Sequence, residues 1–275
     1  MTVGETLKAS TEFLAGKGVP NPRVDAEHLL AKALGVSRLD LYLQHDRPLT
    51  ETELSTAREL VRRRGTREPL AYVLGEWGFR RLVLSTDRRA LIPRPETETV
   101  VERALARLEG MKEPVVLDVG TGSGAIALAI AHEHPGAPVT AIDASEDALA
   151  LARENAERTG LRIDLIHRNL EDGLPGGPYD LVVSNPPYVR ADEIDSLEAE
   201  VRDWEPRAAL VGDITEAIVR SARSVLRPGG WLVLEVHEAG AERVAELLDS
   251  LDYGDVGRFP DLTGRDRVVE GRWES

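Results

Sequence analysis

The sequence predicts an α/β protein. A parallel sheet is wrapped by helices, a small helical domain precedes it, and a β-hairpin lies between the two. Three observations predict this. From Glu96 onward, apolar runs of strand length alternate with helical stretches, the signature of a parallel sheet covered on its faces. The run from Pro114 through Val115-Val116-Leu117-Asp118-Val119 to Gly120-Thr121-Gly122-Ser123-Gly124 reads as a buried strand, a glycine-rich turn and a helix opening at Ala125. Residues 1 to about 75, by contrast, carry helical spacing only.

In that first stretch Leu7, Phe13 and Leu14, then Ala26, Leu29, Leu30 and Ala33, recur as the apolar stripes of helices. Gly18-Val19-Pro20-Asn21-Pro22 and Gly35-Val36-Ser37 punctuate them, and Leu54, Ala57, Leu60 and Val61 mark another amphipathic helix after Thr50. These stripes are read as a bundle core without chemistry of its own. Between Glu76 and Asp87, Trp77-Gly78-Phe79 and Leu82-Val83-Leu84 predict the hairpin. Beyond it, strands are expected near 115–119, 139–143, 163–166, 179–184 and 231–236. Helices are expected near 96–109, 125–133, 146–159, 214–226 and 239–251. An antiparallel edge pair is expected at 255–259 and 267–273. The predicted domains are therefore residues 1–75 (helical), 76–95 (hairpin linker) and 96–275 (sheet).

Composition narrows the function classes. The 275 residues include no cysteine, which excludes disulfides, thiolate metal sites and a cysteine nucleophile. No grouping of His, Asp and Glu has metal-ligand spacing, so no metal is expected. The polar start, Met1-Thr2-Val3-Gly4-Glu5-Thr6, and the short apolar runs predict a cytoplasmic protein with no membrane association. A net charge of −14 argues against broad binding to nucleic acid, which runs on basic contacts to phosphates. Arg62-Arg63-Arg64 with Arg67 is a local exception, read as a solvated helix end whose cations face the last carbonyls.

The chemistry-bearing residues fall at predicted strand ends. In a parallel sheet ligands bind outside the carboxyl ends of the strands, near the point where strand order reverses. Gly120, Thr121, Gly122, Ser123 and Gly124 offer bare backbone N–H groups at a helix start. Asp143 ends the next strand and can accept both hydroxyls of a ribose, although an acid there could also cap the following turn, for which Ser145 is better placed. Asn169 either contacts the ligand or merely stabilises its loop. His167 reads as an ordinary strand-end residue, and His132 and His134 as cations at a helix end before Pro135.

Gly120, Gly122 and Ala125 also satisfy the dinucleotide fingerprint, with an acid about 20 residues on, so a nicotinamide cofactor is one reading. Asp118 and the later Asn185-Pro186-Pro187-Tyr188 have no role in hydride transfer. Both fit a methyl donor, whose methionine amino group wants an anion near the loop. Two prolines fix two φ angles after the apolar run Leu181-Val182-Val183 and end that strand. The Asn185 carboxamide and the Pro186 carbonyl can then accept the N–H bonds of a planar NH2 group, with the Tyr188 ring over its flat face.

The chain resembles the release factor glutamine N5-methyltransferases over nearly its whole length. The matching stretches are Glu68-Pro69-Leu70-Ala71-Tyr72-Val73-Leu74-Gly75-Glu76, Leu91-Ile92-Pro93-Arg94-Pro95-Glu96-Thr97-Glu98 and the glycine loop. Two more are Ser184-Asn185-Pro186-Pro187-Tyr188-Val189 and Asp261-Leu262-Thr263-Gly264-Arg265-Asp266-Arg267-Val268-Val269. The Pro-Arg-Pro-Glu-Thr-Glu segment is the most family-specific, since Asn-Pro-Pro-Tyr is shared with nucleic-acid amino-methyltransferases.

The resemblance implies a Rossmann-like class I S-adenosylmethionine-dependent methyltransferase sheet. Gly120–Gly124, Asp143, Asn169 and Asn185 would contact the cofactor, S-adenosyl-L-methionine, which leaves as S-adenosyl-L-homocysteine. Asn185, Pro186 and Tyr188 would be catalytic, and Asn185, Pro186, Pro187 and Tyr188 would bind substrate. It implies a monomer acting on the Gly-Gly-Gln loop of peptide-chain release factors, with no direct nucleic-acid contact. The alternatives are an amino-methyltransferase acting on adenine N6 or guanine N2, and a non-catalytic cofactor-binding module. Relatives usually carry an acid followed by a large apolar residue where Asn169-Leu170 stands here. Leu210–Thr215 and Leu234–Glu238 also depart from the family pattern. Both segments are expected to lie away from the glycine loop and the Asn185 turn.

Overall fold

The structure, a computed structural model, describes residues 1–274. It divides into two compact units: Met1–Glu76 with Leu197–Trp204, and Trp77–Ser196 with Glu205–Ser275. Among the described residues no helix is long and apolar enough to cross a membrane.

The first unit is helical. Its helices span Val3–Gly16, Pro22–Leu34, Arg38–Leu43, Glu51–Arg64 and Leu70–Leu74. Thr2 with Glu5, Ser37 with Asp40 and Thr50 with Glu53 form reciprocal capping boxes, which satisfy the orphan N–H groups at three of these starts. Leu7, Leu14, Leu29, Leu30, Leu54 and Val61 pack as the core, as their spacing predicts. Phe13 does not join them and is 42% exposed. Its neighbour Leu14 takes the inward position, and consecutive helix residues point about 100° apart.

The arginine cluster also differs from its expected solvated state. Arg64 is buried, donating to Asp25 Oδ2 at 2.7 Å and to Glu200 Oε1 at 2.8 Å, and Arg67 pairs with the same Glu200. Arg62 and Arg63 are held by Glu59 and Glu68. A buried guanidinium requires such partners, and Glu200, far off in sequence, supplies one.

The second unit begins in the hairpin β1 (Glu76–Phe79) and β2 (Leu82–Ser85). Its main sheet contains β3 (Val116–Val119), β4 (Val139–Asp143), β5 (Asp164–His167), β6 (Tyr179–Ser184), β7 (Leu226–Glu235), β8 (Tyr253–Pro260) and β9 (Asp266–Trp273). The spatial order is β5-β4-β3-β6-β7-β9-β8. Strands β3 to β7 run parallel, and β9 and β8 add the antiparallel edge.

Central strands are buried on both faces, which is why they read as unbroken apolar runs. Leu181 and Val183 pack with the helices Pro95–Leu108 and Ala125–Glu133, while Val182 packs with Thr215–Ala222 and Ala241–Ser250. One boundary departs clearly from expectation. The helix near 214 stops at Ala222, and β7 already begins at Leu226. Leu226 pairs with Tyr179 ahead of a register shift, so the sheet extends the strand through Pro228-Gly229-Gly230. From β3 the chain builds outward through β4 and β5, then returns to β6 on the other side of β3. The carboxyl ends of β3 and β6 therefore flank the topological switch point.

Candidate active site

At that switch point lies a cavity of about 350 Å³, entirely within the second unit. Its lining includes Gly120, Thr121, Gly122, Ser123, Asp143, Asn169, Asn185 and Pro187, with Arg94, Thr97 and Ile214. An open groove of about 480 Å³ along Arg153 and Leu161–Leu165 contains none of these residues and no comparable chemistry.

The glycine loop takes the shape its composition allows. Gly120, Gly122 and Gly124 have φ of 73°, 56° and 82°, the left-handed region that favours glycine. A Cβ on Gly120 would meet nothing within 4 Å, so the backbone lies bare beside the cavity. Asp143 anchors the loop across the sheet: Gly122 N–H donates to Oδ2 at 2.8 Å and Ser145 N–H to Oδ1 at 2.9 Å. Each oxygen keeps a further lone pair, so a pair of ribose hydroxyls can still be accepted. Ser145 is the N-cap of Glu146–Thr159, as its position predicts.

Beneath the loop, Asp118 is fully buried. Its Oδ2 accepts from Thr121 Oγ1 at 2.7 Å and Ala127 N–H at 3.2 Å, while Oδ1 has no partner. Burial pushes this carboxyl up to about 7. Asn169 does two things. It lines the cavity, and it accepts from Glu171 N–H at 3.4 Å to cap a short 3-10 turn. His167 lies against Ala144 O and Glu146, away from the cavity lining. Bare glycine backbone, a carboxylate at the adjoining strand end and the apolar Ile126 and Ala148 together fit a nucleoside cofactor.

The opposite wall is built from side chains. Asn185 Nδ2 donates to Thr97 Oγ1 at 3.2 Å, and Thr97 Oγ1 donates to Glu235 Oε2 at 2.6 Å. Tyr188 donates its hydroxyl to Glu235 Oε1 at 3.3 Å, and its ring sits 6.0 Å from that of His237. Pro186 is buried in the turn. Tyr188 and Pro186, expected to bind substrate, are not among the residues that line the cavity. Burial pushes the Glu235 carboxyl up to about 7, and burial with the nearby Glu235 raises the Tyr188 phenol. Among the described residues, the Asn185 carboxamide oxygen and the Pro186 carbonyl accept no hydrogen bond from the chain.

Two segments expected to lie remote from this turn do not. Leu234 pairs with Ser184 in the parallel β6–β7 ladder, which carries Glu235 to the side of Asn185. Val189 pairs with Val211, Gly212 N–H donates to Val189 O at 3.2 Å, and Ile214 lines the cavity. Both departures from the family pattern thus adjoin the site.

Thr97, Glu235 and Glu205 were not singled out in the sequence as site residues. Arg94 pairs with the buried Glu205, which also accepts from Ile92 N–H at 3.3 Å. The Pro-Arg-Pro-Glu-Thr-Glu segment is therefore clamped at Arg94 and reaches Asn185 through Thr97. For Glu235 a usable signal existed: it ends a strand at its carboxyl edge, as Asp143 does, and Asn185 directly follows one.

Comparison with known proteins shows the family. The release factor glutamine methyltransferase of Geobacter sulfurreducens is 43% identical over 276 residues, covering 98% of this chain and 96% of that protein. The chain belongs to the release factor glutamine methyltransferase family. The protein of that name from Chlorobaculum tepidum is 44% identical, over 97% of this chain and 95% of its own. Within this family chain, residues 5–75 match the PrmC N-terminal domain and residues 101–201 match the Methyltransferase small domain. Two solved structures are alike in fold. One is the 16S rRNA N2 G1207 methyltransferase of T. thermophilus, with a TM-score of 0.53 and 20% identity, covering 72% of this chain and 50% of that one. The other is a methyltransferase from Pyrococcus furiosus, with a TM-score of 0.51 and 20% identity, covering 70% and 89%.

Proposed function

We propose that this chain methylates the side-chain amide nitrogen (N5) of the glutamine in the Gly-Gly-Gln motif of peptide-chain release factors, using S-adenosyl-L-methionine. The observation that carries this reading is the identity to release factor glutamine methyltransferases over nearly the whole chain, with Asn185 at the cavity and the Pro186 carbonyl next to it in the chain. Gly120–Gly124, Asp143 and Asn169 would hold the cofactor, which supplies an electrophilic methyl group.

An amide nitrogen is a poor nucleophile because its lone pair is delocalised. Alignment therefore has to carry much of the acceleration. The Asn185 Oδ1 and the Pro186 carbonyl accept the two N–H bonds and aim the nitrogen, while Tyr188 bounds the slot. The same two acceptors stabilise positive charge as the N–C bond forms. The proton can leave to water afterwards, so no general base is required.

A glutamine entering such a slot has to come from a thin exposed loop, and flanking glycines let a backbone approach that closely. The helical domain of residues 1–75 then holds the rest of the partner. The enzyme works as a monomer, in the cytoplasm where release factors act. The test is intact mass and peptide mapping of release factor after incubation with enzyme and S-adenosylmethionine. One added methyl group on the motif glutamine is expected. Methyl groups on RNA or DNA, with release factor unmodified, would overturn the reading.

A further inference from the structure

We propose that Thr97 and Glu235 are positioning residues for methyl transfer, locking the Asn185 carboxamide with its oxygen turned toward the substrate amide. The proposal rests on the functional reading above and concerns what keeps its acceptor in place.

The argument is one of hydrogen counting. A threonine hydroxyl has a single hydrogen to donate. Thr97 uses it on Glu235 Oε2 at 2.6 Å, a contact buried on both sides, with Thr97 4% and Glu235 1% exposed. Its oxygen can then only accept. Of the two ends of the Asn185 carboxamide only the NH2 can donate, and that is the end found 3.2 Å from Thr97. The oxygen therefore lies on the other side, without a partner in the chain.

A carboxamide turned end for end is nearly the same shape, so packing alone holds the two orientations poorly apart. In the turned state an NH2 would face the substrate NH2, donor against donor. Glu235 prevents this through Thr97. It also takes the Tyr188 hydroxyl on its other oxygen at 3.3 Å, so one carboxylate fixes both Asn185 and Tyr188. Above about pH 7, where the Glu235 carboxyl is ionised, it accepts on both oxygens, whereas an amide at 235 must donate from one end and would reverse or break one link. The role of Thr97 within the family-specific segment follows from the same chain of contacts.

The test uses the full-length enzyme with release factor as substrate, comparing Thr97→Val, Thr97→Ser and Glu235→Gln. Thr97→Val keeps the shape and removes the hydroxyl. It should lower kcat at least about tenfold, with the S-adenosylmethionine Kd and thermal midpoint held near wild type. Thr97→Ser restores the hydroxyl and should recover most of that loss. Glu235→Gln should also lower kcat, and Thr97→Val added to Asn185→Ala should cost almost nothing further, because its effect passes through Asn185. A wild-type kcat in Thr97→Val, a loss that serine fails to recover, or losses that simply add would each overturn the proposal. If wild-type enzyme leaves release factor unmodified, the functional reading falls and this proposal falls with it. An active wild type with an unaffected Thr97→Val overturns the proposal alone.

Discussion

On the β3–β4 side of the cavity, the groups offered to a ligand are backbone N–H donors and one carboxylate anchored by backbone. On the β6–β7 side it is the Asn185 carboxamide, held by other side chains. Gly120–Gly124 is five consecutive residues, and Asp143 reaches the loop over a separation of 21. Asn185 reaches Thr97 over a separation of 88, and Thr97 reaches Glu235 over 138. The first wall is set by a turn, whose donors are consecutive because the chain is. The second is a relay among three elements, and its quality depends on each of them. Damage to the first should therefore appear as weaker cofactor binding, and damage to the second as slower chemistry.

The largest break in that contrast should come from Asn185→Ala. It removes the aligning acceptor, so kcat should fall by about a hundredfold or more while S-adenosylmethionine affinity, measured by calorimetric titration, stays nearly intact. Asn185→Asp keeps an acceptor and should retain more activity than alanine. Equal losses of affinity and rate would mean that Asn185 serves the cofactor instead.

Asp143→Ala should do the reverse, weakening S-adenosylmethionine binding by about 1.5–3 kcal/mol. The same carboxylate holds the Gly122 and Ser145 N–H groups, so Asp143→Asn separates the two duties: it keeps an acceptor but loses the charge. It should bind more tightly than alanine and more weakly than wild type. NAD should give no heat in the same titration; a clear isotherm would revive the dinucleotide reading.

Deleting residues 1–75 probes neither wall. It should raise KM for whole release factor about tenfold more than for a short Gly-Gly-Gln peptide, a difference of about 1.4 kcal/mol. Circular dichroism of the remainder establishes that it is folded, and equal KM changes would place partner recognition elsewhere.

The last expected effect is on stability and bears on neither wall's ligand. Asp118 and Glu235 each lie beneath one wall, and burial pushes both carboxyls up to about 7. The folded state then holds these protons more tightly than the unfolded chain. Their contribution is fully present below the ordinary carboxylate range and is lost as pH rises through about 7. The urea midpoint should fall between about pH 5 and about pH 8, and less steeply in Glu235→Gln. An unchanged slope in that variant would mean that Glu235 titrates in its ordinary range.

The α/β architecture, the glycine turn, Asp143 and the Asn185 turn were legible in the sequence because each is a local pattern. Strand ends are marked by apolar runs meeting glycine or proline, and left-handed backbone is marked by glycine itself. The ends of β7 and of the helix before it were less legible, since pairing with Tyr179 pulls Leu226 into the strand. Arg64 read as solvated because Glu200, which pairs with it, stands 136 residues away.

What the sequence alone determined is thus the glycine-loop wall and the Asn185 turn, both made by neighbours along the chain. Only the tertiary structure decided that Thr97 and Glu235 would hold that turn. A hydrogen bond between side chains needs a few ångströms of separation, and the order of strands in the sheet, not their order in the chain, sets which strand ends come that close.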